Sequence, residues 1–381
     1  MLPNTARAEK QLSDERRFSL RTLSREKDTP AISVIIPVYN GAAYLNSCLK
    51  AVAASDHRSY ECIVVDDGST DGGRSIAVQF PLFVRVLHLA EGPRGPAYAR
   101  NRGAKAARGG ILFFLDADIV LSSGALRYVA SLFQERTDVA AVFGSYDAQP
   151  KAEGVISRYR NLLHHFVHQN GNREASTFWA GCGAIRRSVF EAIGGFDERR
   201  FRRPSIEDIE LGYRLRQSGY RILLEKRLQG THLKSWNLYS LIRTDISCRA
   251  MPWSRLILET KKLPNDLNLK FGQRVSFALV ALACVFLALA LVQPELLALS
   301  AAALLTVGVL NRNLYRTFFR QGGIFFTAAC IPLHLLYYLY SGLSYFYVWT
   351  GFQLKRVGRP RRTPTWKFAH HRGAESAEKN N

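Results

Sequence analysis

The apolar positions of this chain change rhythm twice, and the changes divide it. Ile32-Ser33-Val34-Ile35-Ile36 begins as a β-branched strand and is broken by Pro37, after which Leu45, Leu49 and Val52 recur at helical spacing. A second strand, Cys62-Ile63-Val64-Val65, ends in Asp66-Asp67-Gly68-Ser69-Thr70-Asp71, and Val84 to Leu89 reads as a third. The turn Gly92-Pro93-Arg94-Gly95-Pro96 leads into a helix predicted from about Ala97 to Ala107. Next, the run Gly110-Ile111-Leu112-Phe113-Phe114-Leu115 stops abruptly at Asp116-Ala117-Asp118. Strands alternating with helices over short connections predict an α/β domain with a Rossmann-like, mostly parallel sheet. In such a sheet the ligand crevice lies at the carboxyl ends of the strands, which here carry Tyr39, Asp67 and the Asp116/Asp118 pair. Side chains at i and i+2 of an extended segment point the same way, so the two carboxylates suit a hard divalent cation and, through it, a diphosphate.

Beyond residue 235 the pattern changes. From Trp236 to Lys270, Leu238, Leu241, Ile242 and Ile246 interleave with Arg243, Arg249, Trp253 and Arg255, a spacing that fits amphipathic helices in a membrane interface. Val275 to Val292 is continuously apolar, Pro294-Glu295 makes a turn, and Leu296 to Leu310 runs back, which predicts a membrane hairpin. Basic residues follow from Arg312 to Arg320, then a third apolar stretch from Gly323 to Phe352, either one tilted span or a return hairpin split near Pro332 or Gly342. The positive-inside rule places the basic segments, and with them the α/β domain, in the cytosol of a multi-pass protein of the cell inner membrane. The expected division is a basic arm (1–29), the α/β domain (30–235), interface helices (236–272), a transmembrane region (273–353) and a basic tail (354–381).

Charge sharpens this picture. Lys+Arg 52 against Asp+Glu 31 gives a formal +21 over 381 residues, which calls for a polyanionic partner. The basic residues cluster beside the apolar runs, so anionic lipid suits them better than nucleic acid. The N-terminus is polar and lacks the apolar core of a secretory signal. Cys48, Cys62, Cys182, Cys248, Cys284 and Cys330 include no C-x-x-C pair, so neither a disulfide framework nor a zinc site is expected.

The succession Ile35-Ile36-Pro37-Val38-Tyr39-Asn40, Val65-Asp66-Asp67-Gly68-Ser69-Thr70-Asp71, Ala99-Arg100-Asn101-Arg102-Gly103 and Phe114-Leu115-Asp116-Ala117-Asp118 resembles family 2 glycosyltransferases, which have the GT-A fold. Downstream, Trp179-Ala180-Gly181-Cys182-Gly183, Gly194-Gly195-Phe196-Asp197-Glu198 and Ile206-Glu207-Asp208-Ile209-Glu210-Leu211 continue it, to about residue 235. The resemblance implies a nucleotide-sugar donor, UDP-linked, with Pro37 and Tyr39 at the base and Asp67 accepting its imide N–H. It implies Arg100 near the diphosphate, Asp116 on the ribose or sugar, and Asp118 as the direct ligand of Mg²⁺ or Mn²⁺. His232 stands where some GT-A enzymes place a further metal ligand, and Asp208 matches the catalytic base. Asp66 reads as a loop-organising residue, and His164, His165 and His168 as packed or solvated.

These residue types suit transfer with inversion. A cation neutralises charge on the departing diphosphate, while a carboxylate on the opposite side takes the proton of an acceptor hydroxyl. The basic run Arg199-Arg200, Arg202-Arg203 beside Asp208 and the apolar C-terminal half suggest a lipid-linked or lipid-phosphate acceptor. A processive polysaccharide synthase ranks lower, because its Gln-x-x-Arg-Trp motif is absent: Arg249-Ala250-Met251-Pro252-Trp253 has different spacing. A non-catalytic membrane scaffold is disfavoured by the intact acidic motifs.

Overall fold

The computed structural model describes residues 29–80 and 83–357, and the expected basic N-terminal arm and C-terminal tail fall outside them, save for their innermost residues. The chain opens with β1 (Ile32–Val38), α1 (Ala42–Ala53), β2 (Tyr60–Asp66), α2 (Gly73–Ala77), β3 (Val84–His88), α3 (Pro96–Ala106) and β4 (Ile111–Leu115). It continues with β5 (Ile119–Leu121), α4 (Ala125–Glu135), β6 (Val139–Tyr146), α5 (Val155–Gln169), β7 (Cys182–Arg186), α6 (Arg187–Ala192), α7 (Glu207–Gln217) and β8 (Arg221–His232). All eight strands join one sheet in the order β3-β2-β1-β4-β7-β6-β8-β5. Strands β3, β2, β1 and β4 are parallel neighbours, β6 and β8 also pair in parallel, and β7 and β5 run antiparallel to their partners.

The period-2 alternation of β1 explains how the sheet is covered. Ile32, Val34 and Ile36 pack beneath α1 on Leu45, Cys48 and Leu49, while Ile35 points the other way with Ile63 and Val65 toward the face covered by α3 and α7. At Gly103 in α3, a Cβ would lie 2.4 Å from Ile35 Cγ2, so glycine lets the helix lie directly on the sheet. Because β2, β1 and β4 run parallel and adjacent, Asp67, Tyr39 and Asp116 emerge along a single edge.

The interface region is helical: α8 (Leu238–Thr244), a π-helix over Asp245–Ala250 and α9 (Met251–Thr260) follow one another without a break. A capping box in which Asn237 and Ser240 bond each other's backbone N–H starts α8. Then come α10 (Phe271–Leu289), α11 (Leu296–Leu310) and α12 (Arg312–Val357). Among the described residues, α10 and the segment Arg312–Lys355 are long and apolar enough to cross a membrane. Of the two alternatives for the last stretch, the split is not seen: α12 runs on through Pro332 and Gly342, and its break lies at Gly323, the first residue of that stretch, where φ is 72°. Its basic start, Arg312 to Arg320, is helix rather than loop. After the break α12 lies against the α/β domain, with Phe326 and Cys330 packed on Tyr159 and Leu162 of α5 and Tyr340 hydrogen-bonded to Asp245.

Candidate active site

A single cavity of about 1930 Å³ opens along the strand ends and passes beneath α9 to the first turns of α10 and the middle of α12. Pro37, Tyr39, Asp67, Arg100, Asp116, Asp118, Asp208 and His232 all line it.

At one end, the loops after β1 and β2 are laced together. Asn40 donates its backbone N–H to Ser69 Oγ (3.0 Å) and accepts from the Thr70 N–H (2.8 Å), and Asp71 caps α1 through the Ala42 N–H (2.8 Å). Tyr39, just before Asn40, is left 49% exposed, with its ring free to stack. Asp66 is buried and accepts from the Ser69 N–H (2.9 Å) and from His88 Nδ1 (2.8 Å), consistent with a loop-organising role. Asp67 accepts from the backbone N–H groups of Arg94 (3.0 Å) and Gly95 (2.7 Å), so its carboxylate is fixed in place with lone pairs remaining for a ligand.

In the middle, β4 ends and the chain turns at Asp116 to enter β5. The antiparallel pairing of β5 with β8 places Ile119 opposite His232, which brings His232 Nε2 to 3.5 Å from Asp118 Oδ2. Those two donors are close enough to share one ion at ordinary ligand distances of about 2.1 Å. Among the described residues no group of three or more His, Cys, Asp or Glu is arranged to hold a metal, so a bound diphosphate would complete the shell. A carboxylate together with phosphate oxygens suits Mg²⁺ or Mn²⁺, whereas an imidazole nitrogen is a less usual ligand for these hard ions. Burial pushes the Asp118 carboxyl up, but His232 and then Lys234 outweigh it and hold its pKa below the usual value. For Asp116 burial wins over the opposing Arg100, and the neighbouring Asp118 adds to it, so that pKa is raised.

Arg100 sits below this floor and does not extend into the cavity as a free cation. Its guanidinium, 5% exposed, donates to Asp116 Oδ1 at 2.7 Å and to Glu207 Oε1 at 2.8 Å. Burial disfavours its charge, yet Asp116 and Glu207 more than restore it, and its pKa is raised. Glu207 was not singled out from the sequence. The signal available was that Arg100 shares a helix face with the small residues Ala97 and Ala104, three before and four after it, and an Arg on a buried face needs carboxylate partners.

Glu207 opens α7, and Asp208 follows, facing the cavity. Asp208 accepts from the Ala180 N–H (3.0 Å) and from its own neighbour's N–H at Ile209 (2.8 Å). Desolvation by the enclosing walls, then the adjacent Glu207 charge, pushes its pKa up to about 7 against the pull of Arg100. A carboxyl poised there can exchange a proton at neutral pH. The wall behind is a column of rings also not anticipated: His232 stacks on Tyr146 at 4.3 Å, Tyr146 meets His164 at 4.2 Å, and Trp179 stands edge-on to Tyr146 at 5.0 Å. His164 is packed, and burial holds its pKa well below the usual value, so it is neutral.

Comparison with known proteins places the domain in a family. The profile described as glycosyl transferase family 2 covers residues 33–194. Glycosyltransferase AglE of Haloferax volcanii is 43% identical over 208 residues, 53% of this chain and 67% of AglE. Glycosyltransferase GlyG of Streptococcus pneumoniae is 33% identical over 162 residues, 42% of this chain, and the chain spans about half of its length, 53%. The mannosyltransferase PcManGT from Pyrobaculum calidifontis, solved with GDP-Man and Mn2+, shares the fold with a TM-score of 0.53 at 19% identity, covering 90% of this chain and 97% of that one. The chain therefore belongs to glycosyl transferase family 2, with a GT-A type α/β domain.

Proposed function

We propose that this chain is a metal-dependent inverting glycosyltransferase that takes a sugar from a nucleotide-sugar donor, UDP-linked by preference, and places it on a lipid-linked or lipid-phosphate acceptor at the cytosolic face of the inner membrane. The observation that carries this reading is the single cavity that joins Tyr39 and Asp67, Asp118 with His232, Asp208, and the apolar helices. The family assignment and the nucleotide sugar in PcManGT support the donor class, and the Mn2+ in that structure supports the metal.

In this reading Tyr39 stacks on the base and Asp67 accepts its imide N–H, held for the purpose by Arg94 and Gly95. Asp118 and His232 hold the divalent ion, which when bound offsets charge on the leaving diphosphate. Asp116, tethered by Arg100, orients ribose or sugar hydroxyls. Asp208 takes the proton of an acceptor hydroxyl as its oxygen attacks the anomeric carbon, or, for a lipid-phosphate acceptor that already carries its charge, mainly orients the attacking phosphate oxygen; in either case the bond to the diphosphate breaks on the opposite side. The membrane assignment draws support from α10, from α11 folding back on it, and from exposed Leu282, Val285, Leu287, Leu297, Leu304 and Val309 along the pair.

A panel of nucleotide sugars, incubated with the purified protein, membrane lipid extract and Mg²⁺ or Mn²⁺, tests the reading. Turnover should require the metal and should fall roughly a hundredfold or more in Asp118→Ala and in Asp208→Asn. Undiminished turnover in both variants would overturn the site.

A further inference from the structure

The two ends of the cavity differ in charge. At the donor end the buried cation, Arg100, is neutralised by Asp116 and Glu207. At the far end the local carboxylates are already consumed: Asp245 is held by Arg160, Arg249 and the Tyr340 hydroxyl, and Glu259 by Arg200. Among the described residues, Arg202, Arg203, Arg243, Arg255 and Arg274 line the cavity without a carboxylate within ion-pair distance; the backbone of the first two lies against Gly95, beside Asp67, while Arg243 and Arg255 stand on the interface helices and Arg274 on α10. The loop that carries the first two is fastened to the interface helices by the Arg200–Glu259 pair (2.7 Å) and by Ser205 Oγ donating to the Cys248 carbonyl (3.3 Å). Arg274 donates to Asn265 Oδ1 (3.4 Å), while Arg202, Arg203, Arg243 and Arg255 keep side-chain donors unused among the described residues, in planar forks whose geometry suits phosphate.

Beyond the arginines the cavity loses its charge. It continues between α9, α10 and α12 past Phe277, Tyr337, Tyr338, Gly342 and Tyr345. The Phe277 ring lies flat against Gly342, where a Cβ would come within 1.9 Å of its Cε2. The residue at 342 therefore decides whether Phe277 stays aside from the cleft. An anion-binding rim that runs without interruption into an aromatic and apolar cleft fits a molecule with one charged end and one long apolar end.

We propose that this end of the cavity binds a phosphate monoester of a long-chain alcohol, with the phosphate on the arginine rim and the chain in the cleft between α10 and α12. The assignment rests on the transferase reading above and narrows its acceptor to a lipid phosphate rather than a neutral glycolipid. It also gives a use to the positive charge on the interface helices beyond attraction to the membrane surface.

Dodecyl phosphate is the probe. Binding of the labelled compound to the full chain in phosphatidylcholine nanodiscs, corrected for empty discs, should saturate and be displaced by unlabelled dodecyl phosphate. Dodecanol and inorganic phosphate should each compete at least about tenfold more weakly, since each offers half of the contacts. The double variant Arg243→Gln/Arg255→Gln and the single variant Gly342→Leu, which drives Phe277 into the cleft, should each weaken binding by roughly tenfold. Both should keep the unmodified affinity for UDP or GDP with Mn²⁺, which certifies the fold and the donor end. Equal competition by inorganic phosphate would reduce the site to a free-anion site, equal competition by dodecanol would reduce it to an apolar groove, and unchanged binding in both variants would misplace it; each overturns the proposal. Nucleotide binding without displaceable dodecyl phosphate would sink the lipid-phosphate site alone, whereas no nucleotide binding by the unmodified protein would sink the transferase reading beneath it.

Discussion

Arg100 is where the donor and acceptor halves of the site meet. One guanidinium edge holds Asp116 at the end of β4 and another holds Glu207 at the start of α7, 107 residues away in sequence. Because the ion pair is buried, losing one partner leaves charges uncompensated, and Arg100→Met should cost about 3 kcal/mol or more of stability. Arg100→Lys keeps the charge but cannot span both carboxylates, so it should retain the fold better and still lose turnover. The pH profile separates this role from simple destabilisation. If Asp208 is the base proposed for a hydroxyl acceptor, it must be ionised, so activity on such an acceptor should rise with pH through about 7 and level off above it. Glu207→Gln removes the charge that raises this pKa, and the rising limb should move to lower pH; a limb that stays in place would argue against the coupling. The same shift has a stability consequence. A carboxyl whose folded pKa lies above its unfolded value contributes stability that is fully present below the unfolded value, near 4, and lost as pH rises through about 7. Asp208→Asn should therefore raise Tm at pH 8 and leave it nearly unchanged at or below about pH 4, measured by thermal unfolding of the same preparation.

At the scale of elements, two close approaches position the site. Helix α3, which carries Arg100, can rest on β1 and β2 only because Gly103 leaves room for Ile35 and Val65. Gly103→Val would overpack that seam, lifting Arg100 away from Asp116, and should cost about 2 kcal/mol or more with a larger loss of turnover than of nucleotide binding. In the sheet, the β5–β8 pairing sets His232 beside Asp118, so the pair proposed to hold the metal depends on a register rather than on sequence proximity. The Asp-x-Asp pair was legible because it interrupts an apolar run, and α3 and β3 fell within a residue of their expected bounds. The different surroundings of Asp116 and Asp118 were not legible in the sequence: only the fold turns one carboxylate to Arg100 and the other to His232.

At the scale of the whole molecule, the hairpin of α10 and α11 extends from the domain while α12 runs along it. Ser300 Oγ donates to the Ala283 carbonyl (2.9 Å) within the hairpin, and Tyr338 links α12 to Gln273 at the start of α10 and to Asn311 just past α11 (both 2.9 Å). If the hairpin enters the bilayer as proposed, the turn near Gln293 is its far tip and α8 stays with the catalytic domain. A chain with Cys248 and Cys284 replaced by serine retains only buried cysteines. In that background, Gln293→Cys should resist a membrane-impermeant maleimide added from the cytosolic side, and Tyr239→Cys should react. Equal labelling of the two would exclude the proposed orientation.

By itself the sequence determined the alternating strands and helices, the acidic strand ends, the excess of basic charge and the apolar hairpin, because each is written in contiguous residues and their local periodicity. It left the last apolar stretch unresolved between one span and two, since proline and glycine were equal candidates for a break. Tertiary structure decided that Gly323 bends the helix, because only there does the backbone enter the left-handed region, while Pro332 is carried within a helix braced against α5. It also decided that Arg100 is a buried strut between Asp116 and Glu207 and that the strand-end loops and the C-terminal helices line one cavity. Those facts depend on pairings between residues a hundred or more positions apart, which no local pattern encodes.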